Sequence, residues 1–496
     1  MLSFILGLAL LIGGYYTYGR YIERILAPDR RKTPAVAMCD GVDYVTLPHW
    51  KNMLIQLLNI AGVGPVIGVI MGIKFGSVVF LIIPLGNIIA GATHDFLGGM
   101  ISLRHGGANL PAIIRMNLGR VYYWIFTAFM TFLLLLVVAV FINVPATLIK
   151  GLLGGYFWWA VGAIFIYYIA ATLFPVDKII GKIYPIFGLM LLLGTVAIFG
   201  AIVHATDINA ARDLLSESTG FLAHKWDAAN GHPIIPLLFV TIACGIISGF
   251  HATQSPIIAR TMGREREARS SFYGMMVVEG LIAMVWAAAG LVIYNLDANF
   301  MTVNPNSVLI EITTRFLGSG WGSVTVVAVI VLAVTSGDTA MRSLRLSLAE
   351  VFSISQGRIM NRILLCLPLI AIVCVLLWWS NPTDPNDKSF QSLWNYFAWG
   401  NQVLAASTLM AATVWLMARG KTFFVALLPG MFMTFIVVSY ILWTKDKDLG
   451  GAVGFGMNLD AARNLALAIT AVLTAVVLAR GYWAAGRKKL EDAKSK

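Results

Sequence analysis

Apolar residues run along most of this chain in blocks of about twenty, and short polar or charged clusters separate the blocks. A helix needs roughly 20 mostly apolar residues to cross a hydrocarbon layer about 30 Å thick, so block length and the clusters between blocks define the elements. The pattern predicts thirteen membrane-spanning helices, at 1–18, 51–73, 77–102, 121–149, 155–174, 184–205, 234–259, 271–295, 321–346, 361–380, 390–418, 422–443 and 464–484. The segment from Arg20 to Trp50, with Pro28, Pro34 and Pro48, reads as an ordered or semi-ordered lead-in. In the longest connection, Thr206 to His232, the run Asp207 to Leu215 reads as a short amphipathic helix. The Lys-rich tail after Arg487 reads as solvated, disordered chain. Tyr122, Tyr123 and Trp124, then Tyr156, Trp158 and Trp159, then Trp378 and Trp379 read either as interfacial belts or as ordinary lipid-facing packing.

Two blocks are interrupted. In lipid every backbone N–H and C=O must be paired within the protein, so clustered Gly and Pro inside a span carry meaning. The second span reads Ile60-Ala-Gly62-Val-Gly64-Pro65-Val-Ile-Gly68, with Gln56 and Asn59 one turn earlier. Pro65 removes an N–H and disfavours helix at Gly64. The seventh span reads Gly245-Ile-Ile-Ser248-Gly249-Phe250-His251-Ala-Thr253-Gln254-Ser255-Pro256. Either alone reads equally as a kinked packing helix. Lying five spans apart and entering from opposite sides, they predict two inverted five-helix repeats, 51–205 and 234–418, whose discontinuous helices form a midplane site. Around that core stand an anchor helix at 1–18, the lead-in 19–50, the external loop 206–233, two helices within 422–484 and the tail 485–496.

Composition excludes a soluble fold. Hydrophobic residues make up 58% and charged residues only 12%, against about 25% charged in soluble proteins. The net charge of +12 raises the question of nucleic acid, and the placement of charge answers it. The first span has no basic residue before it, and Arg20, Arg24, Arg30, Arg31 and Lys32 follow it, which predicts an N-terminus outside and a C-terminus inside. Alternate threading then puts 27 of the 36 Lys and Arg on one side, as the positive-inside rule requires. The basic balance is topological, and the partner is the lipid bilayer. Cys39, Cys244, Cys366 and Cys374 have no metal-ligand spacing, and no cofactor is indicated. No Gly-x-x-x-x-Gly-Lys-Ser/Thr, His-Glu-x-x-His or Gly-x-Ser-x-Gly run is present, which argues against an attached ATPase or an intramembrane enzyme. A channel is the other class to exclude, and paired broken helices favour alternating access.

Three acids, Asp95, Glu279 and Asp338, fall within spans. A charge at the bilayer centre costs about 2.5–3.5 kcal/mol on insertion scales, so these are functional candidates. His94 precedes Asp95. Consecutive helical residues point about 100° apart, so the two are expected to contact different partners, and His94 reads equally as an interhelical hydrogen-bonding contact. Glu279 reads equally as a buried protonated carboxyl. Asp338 reads equally as half of an ion pair with Arg342, one turn on. Thr335 and Ser336 either serve a cation or bond back to their own helix. Asp95 and Glu279, with no basic partner in sequence reach, are the candidates to carry a proton, and H⁺ through Asp95 assisted by His94 is favoured over Na⁺ at Thr335 and Ser336. A carboxylate is expected at the two interruptions, where half-helix N-termini offer unpaired N–H groups. Asn59, Gly62, Gly64, Ser248, Gly249, His251, Gln254 and Gln402 are the expected substrate-binding set.

At these residues the chain resembles the carbon starvation protein (CstA) family. The resemblance lies in Asp40-Gly-Val-Asp-Tyr-Val45, the Ile60-to-Pro65 break, Gly91-Ala-Thr-His-Asp-Phe96, Ser248-Gly-Phe-His251 and Leu393-Trp-Asn-Tyr-Phe-Ala-Trp-Gly-Asn-Gln402-Val-Leu-Ala405. It spans about residues 40 to 420. It implies an inner-membrane secondary transporter with a LeuT-like five-plus-five fold, associated in relatives with peptide uptake during carbon starvation or with pyruvate uptake coupled to protons. It also implies a cation site between the first broken helix and the hydroxyls of Thr335 and Ser336. The expected function is cation-coupled import of peptides or other small carboxylate nutrients, with pyruvate/proton symport as the alternative.

Overall fold

Apolar runs can close their backbone hydrogen bonds in lipid only as helices or closed barrels, and this chain takes the helical solution. The structure, a computed structural model, describes residues 2–154, 156–173, 180–204, 232–301, 305–381, 389–445 and 454–494, and among these no strand occurs. The amphipathic helix expected at Asp207 to Leu215 lies outside the described residues.

The elements are α1 (Leu2–Tyr16), α2 (Tyr18–Leu26), α3 (His49–Ile60), α4 (Gly64–Phe75), α5 (Val79–Arg104), α6 (Leu110–Leu118), α7 (Arg120–Leu153), α8 (Phe157–Leu173), α9 (Ile180–His204), α10 (234–246), α11 (Gly249–Ala259), α12 (Glu265–Leu296), α13 (Pro305–Val351), α14 (Ile359–Trp379), α15 (Ser389–Met417), α16 (Phe424–Trp443) and α17 (Leu459–Lys494). Helix occupies each of the thirteen predicted intervals. Among the described residues, length and apolarity qualify eight helices to cross a membrane, or nine when α3 and α4, bent by 56°, count as one span; two shorter apolar helices are Phe157–Ala171 and Gly188–Val203. The first interval is longer than expected, because the helix resumes after Thr17 and ends only where Ala27 turns left-handed at φ 48. The ninth starts earlier, and α13 turns a corner at Gly318, with φ 73.

α13 packs along α7 and α9, α11 lies between α5 and α15, and α16 and α17 flank α15. One apolar core runs through α1 to α16. Polar segments between helices collect on one face. Val45 and Leu47 N–H donate to the carbonyls of Arg260 and Thr261, the Tyr44 hydroxyl donates to Gly106 O, Arg104 and Arg31 both reach buried Glu265, and Lys421 Nζ donates to Ile25 O and Leu26 O. Segments after the first, third, seventh and eleventh predicted spans therefore share a side, hereafter the basic face.

Candidate transport site

The first interruption is closed mainly by its own chain, with one bond from α13, Ser336 Oγ to Leu58 O. Ala61, at φ −75 and ψ 61, forms an inverse γ-turn, with Gly62 N–H donating to Ile60 O at 2.8 Å. A π turn over Gly64–Gly68 carries Pro65 and starts α4, the kind of irregular backbone frequent at functional sites. The second interruption is two extended residues, Ile247 (φ −158, ψ 134) and Ser248 (φ −136, ψ 122). It is closed from elsewhere. Asn401 on α15 accepts the Phe250 N–H at 2.6 Å and donates to Ser248 Oγ at 2.7 Å.

That closure corrects one expectation. The first turn of α11 was expected to offer its N–H groups to a substrate carboxylate, but the Phe250 N–H is already taken by Asn401. Gly249 faces α15 itself: a Cβ there would lie 2.3 Å from Ala405 N and Asn401 O. The glycine lets two backbones touch. Gly62 likewise faces the Phe141 ring, 2.8 Å from where a Cβ would sit.

The interruptions are joined by a buried polar chain. His251 on α11 puts Nδ1 3.0 Å from Asp95 Oδ2 on α5 and Nε2 3.8 Å from Glu279 Oε2 on α12, and the Ile60 carbonyl at the end of α3 lies in hydrogen-bond reach of the same ring. His94 Nδ1 lies 2.8 Å from Asp95 Oδ1. All four side chains are 0–1% exposed. His94 and Asp95 were expected to point to different partners; instead they meet, because flexible side chains on consecutive positions reach around the helix to a shared site. His251, expected to orient substrate, is the link between the acids. Among the described residues both Glu279 oxygens and His94 Nε2 have no hydrogen-bond partner.

The remaining candidates divide. Gln56, Asn59 and Gln402 are fully buried with every side-chain polar atom unpartnered among the described residues, and Gln254 Oε1 is too. Unpaired buried amides each forfeit about 1–3 kcal/mol, so they mark positions for water or cargo. Gln254 Nε2 donates to Thr253 Oγ1 at 2.9 Å. Thr335 donates to Leu332 O on its own helix, whereas Ser336 Oγ crosses to Leu58 O on α3 at 2.8 Å. Asp338 accepts from the Tyr167 hydroxyl at 3.4 Å, and Arg342 reaches Asp43 of the lead-in at 3.3 Å and the Ala171 carbonyl. Among the described residues no three or more His, Cys, Asp or Glu are arranged to hold a metal ion.

Sequence reasoning missed Asn401 and Asn87. Asn87 sits in a π turn of α5 and donates to Met276 O at 2.9 Å on α12, tying the two acid-bearing helices. The available signal was a carboxamide inside an apolar span, next to Gln402 in one case and one turn after Pro84 in the other.

The model of the family described as carbon starvation protein CstA matches residues 1–226, 158–316 and 307–440. An uncharacterized membrane protein of Haemophilus influenzae is 42% identical over 59% of this chain and 91% of its own. The peptide transporter CstA of Escherichia coli is 24% identical, covering 89% of this chain and 80% of that one. The pyruvate/proton symporter BtsT of Escherichia coli is 26% identical over 56% of this chain and 47% of that one. In fold the chain is similar to a manganese transporter of Eremococcus coleocola, with TM-score 0.59 and 13% identity over 91% of this chain and 99% of that one. It is also similar to MhsT, solved with L-phenylalanine, with TM-score 0.56 and 11% identity over 89% and 99%. The fold is LeuT-like, as expected.

Proposed function

The chain belongs to the carbon starvation protein CstA family, and from that premise we propose that this multi-pass transporter imports small carboxylate-bearing nutrients, peptides first and pyruvate second, by proton symport. The observation that carries the reading is the Asp95–His251–Glu279 chain between the two interruptions, with His94 on its flank. Charge in a site excluded from water is costly. For a cargo whose carboxylate is its one charge, such as pyruvate, an accompanying proton leaves the buried charge unchanged; a zwitterionic peptide is neutral on its own, and there the proton supplies the driving force. One imidazole can hand a proton between the carboxyl groups on either side of it, since each ring nitrogen both donates and accepts according to tautomer. Ile60 O, at the first interruption, faces the same ring, so cargo bound there alters the surroundings of the proton site directly. The unpartnered amides of Gln56, Asn59 and Gln402 supply donors and acceptors for the rest of the cargo.

The basic face is cytoplasmic in this reading, by the positive-inside rule, with the N-terminus outside, the C-terminus inside and the bacterial inner membrane as the site. Asp43 and Arg342 close that face and part to release cargo. Peptide is placed first because relatives covering more of this chain bear that name, and pyruvate second because BtsT bears the other. Sodium coupling is the second reading, favoured by Ser336 Oγ bridging to Leu58 O at the first broken helix.

Uptake into proteoliposomes, with pH and Na⁺ gradients imposed separately on labelled peptides and pyruvate, tests the proposal. Wild type is expected to accumulate cargo with a pH gradient alone, and Asp95→Asn to lose that accumulation. Accumulation that requires Na⁺, ignores pH and disappears only in the Thr335→Ala plus Ser336→Ala variant would establish the second reading instead.

A further inference from the structure

The basic face holds a recess that transport does not use. It has a volume of about 520 Å³ and lies between the turn after α15 and the end of α17, lined among others by Arg419, Lys421, Phe423, Tyr482 and Lys488. Its floor is a helix end already satisfied: Gly420, at φ 63, and Lys421 turn their N–H groups back to Met417 O and Leu416 O, in the manner of a Schellman cap. A helix C-terminus is the negative end of its dipole, so an anion here is held by the side-chain cations around it.

Arg419 and Lys421 are held by an aromatic face and by carbonyls. Arg419 lies over the Trp415 ring at 4.0 Å and donates to Trp415 O, and Lys421 donates to Ile25 O and Leu26 O. Among the described side chains no carboxylate forms an ion pair with Arg419 or Lys421. The one buried carboxylate nearby, Glu265, is engaged by Arg104 at 2.5 Å and Arg31 at 3.1 Å. Burial, and then the charges of Arg104 and Arg31, push the Arg419 guanidinium down to about 10; burial and the charges of Arg104 and Arg419 lower Lys421 as well. The group is a set of cations held together against their mutual repulsion.

The recess also sits at a particular depth. The apolar run of α17 gives way to charge at Arg480, Arg487 and Lys488, Tyr482 and Trp483 stand exposed there at 68% and 52%, and Phe424 is 54% exposed across the turn. Amphipathic rings at the end of an apolar run mark the headgroup level of a bilayer. A soluble anion needs no apolar wall, but a lipid needs one below its phosphate.

We propose that this recess binds the phosphodiester headgroup of an anionic phospholipid, with Arg419, Lys421 and Lys488 holding the phosphate and Tyr482 and Phe423 flanking the glycerol and upper chains. A bound headgroup joins α2, α15 and α17, since Lys421 already holds the end of α2. Basic pockets between membrane helices on the cytoplasmic side have this chemistry in general; here it is assigned to named residues, independently of the cargo site.

The test is binding of short-chain phosphatidylglycerol, phosphatidylcholine and inorganic phosphate to the purified full-length protein in detergent, followed by native mass spectrometry and thermal melting. Phosphatidylglycerol is expected to remain bound and to raise the melting temperature, and phosphatidylcholine to do neither. Arg419→Gln and, separately, Lys488→Gln on the exposed face of α17 are expected to weaken phosphatidylglycerol about fivefold each. Arg266→Gln, which removes an exposed cation elsewhere on the same face, is expected to leave binding unchanged. Equal weakening by Arg266→Gln, equal binding of phosphatidylcholine, or equal protection by inorganic phosphate alone would overturn the assignment. Lys488→Gln keeps the test decisive if Arg419→Gln fails to fold.

Discussion

The break after Ile60 and the break before Gly249 interrupt helices at corresponding places in the two halves, yet different parts of the chain complete them. The first is completed within five residues, by an inverse γ-turn at Ala61 and a π turn around Pro65. The second is completed by Asn401, which lies 151 residues from Phe250 in sequence. A break closed locally leaves its surroundings free to face cargo and His251. A break closed by another helix is fixed to that helix, and α11 and α15 then move as one body. The acids repeat the contrast. Asp95, in the first half, is held by two imidazoles at 2.8 and 3.0 Å; Glu279, in the second, has no hydrogen-bond partner among the described residues.

The largest effect should come from separating those acids. Asp95→Asn unties His94 and His251 together and is expected to abolish both pH-driven accumulation and exchange of labelled for unlabelled cargo. Glu279→Gln disturbs no hydrogen bond and mimics the protonated carboxyl, so it is expected to retain exchange while losing net accumulation. Identical behaviour of the two variants in counterflow would erase the distinction between a held and a free acid.

Next comes the fixed break. Gly249→Leu drives a side chain into the α15 backbone, and it is expected to destroy the folded protein, seen as loss of a monodisperse peak in detergent. The 2.3 Å approach to Asn401 O and Ala405 N is the reason. Asn401→Ala leaves the Phe250 N–H and Ser248 Oγ unpaired and is expected to cost about 1–3 kcal/mol of stability, read as a lower melting temperature. A substitution at Ala61 is expected to cost less, because the turn makes its own Gly62-to-Ile60 hydrogen bond and takes one bond from outside, Ser336 Oγ to Leu58 O.

How much of this was legible depends on range. Apolar block length is a local property, and it placed helix in every predicted interval. Pro65 and its glycines announced the first break for the same reason. Charge order along the chain anticipated that the lead-in, the Arg104 segment, the Arg260 segment and Lys421 share one face. Asn401 and the meeting of Asp95 with His251 depend on helices far apart in sequence, and no spacing rule reaches them. His94 with Asp95 failed differently: a helical wheel places Cβ atoms, whereas the imidazole and carboxylate meet beyond them.

The smallest effect lies on the basic face. Burial, followed by the charges of Arg419 and Arg104, holds His105 below its ordinary value of 6.5, against a hydrogen bond to the Ile101 carbonyl. The unfolded chain therefore takes up this proton at higher pH than the folded one, so His105 favours the fold most above 6.5 and that share fades as pH falls below it. Melting temperature is expected to drop between about pH 7.5 and 5.5, and His105→Gln to flatten a small part of the drop. An unchanged slope in the variant would assign the whole drop to other groups, the buried cluster included.

Asn401 also sets an order of assembly. A nascent chain enters the membrane from its N-terminus, so Ser248 and the Phe250 N–H arrive long before the residue that satisfies them. Until α15 follows, the middle of the seventh span is a polar gap in hydrocarbon, and water or the lateral wall of the insertion machinery has to cover it. A ribosome stalled short of residue 401 would leave that segment unable to settle, whereas the backbone turn at Ala61 closes its own hydrogen bond as soon as it is made. Of the two related halves of this carrier, the second is thus the one whose birth is hostage to translation reaching its far end.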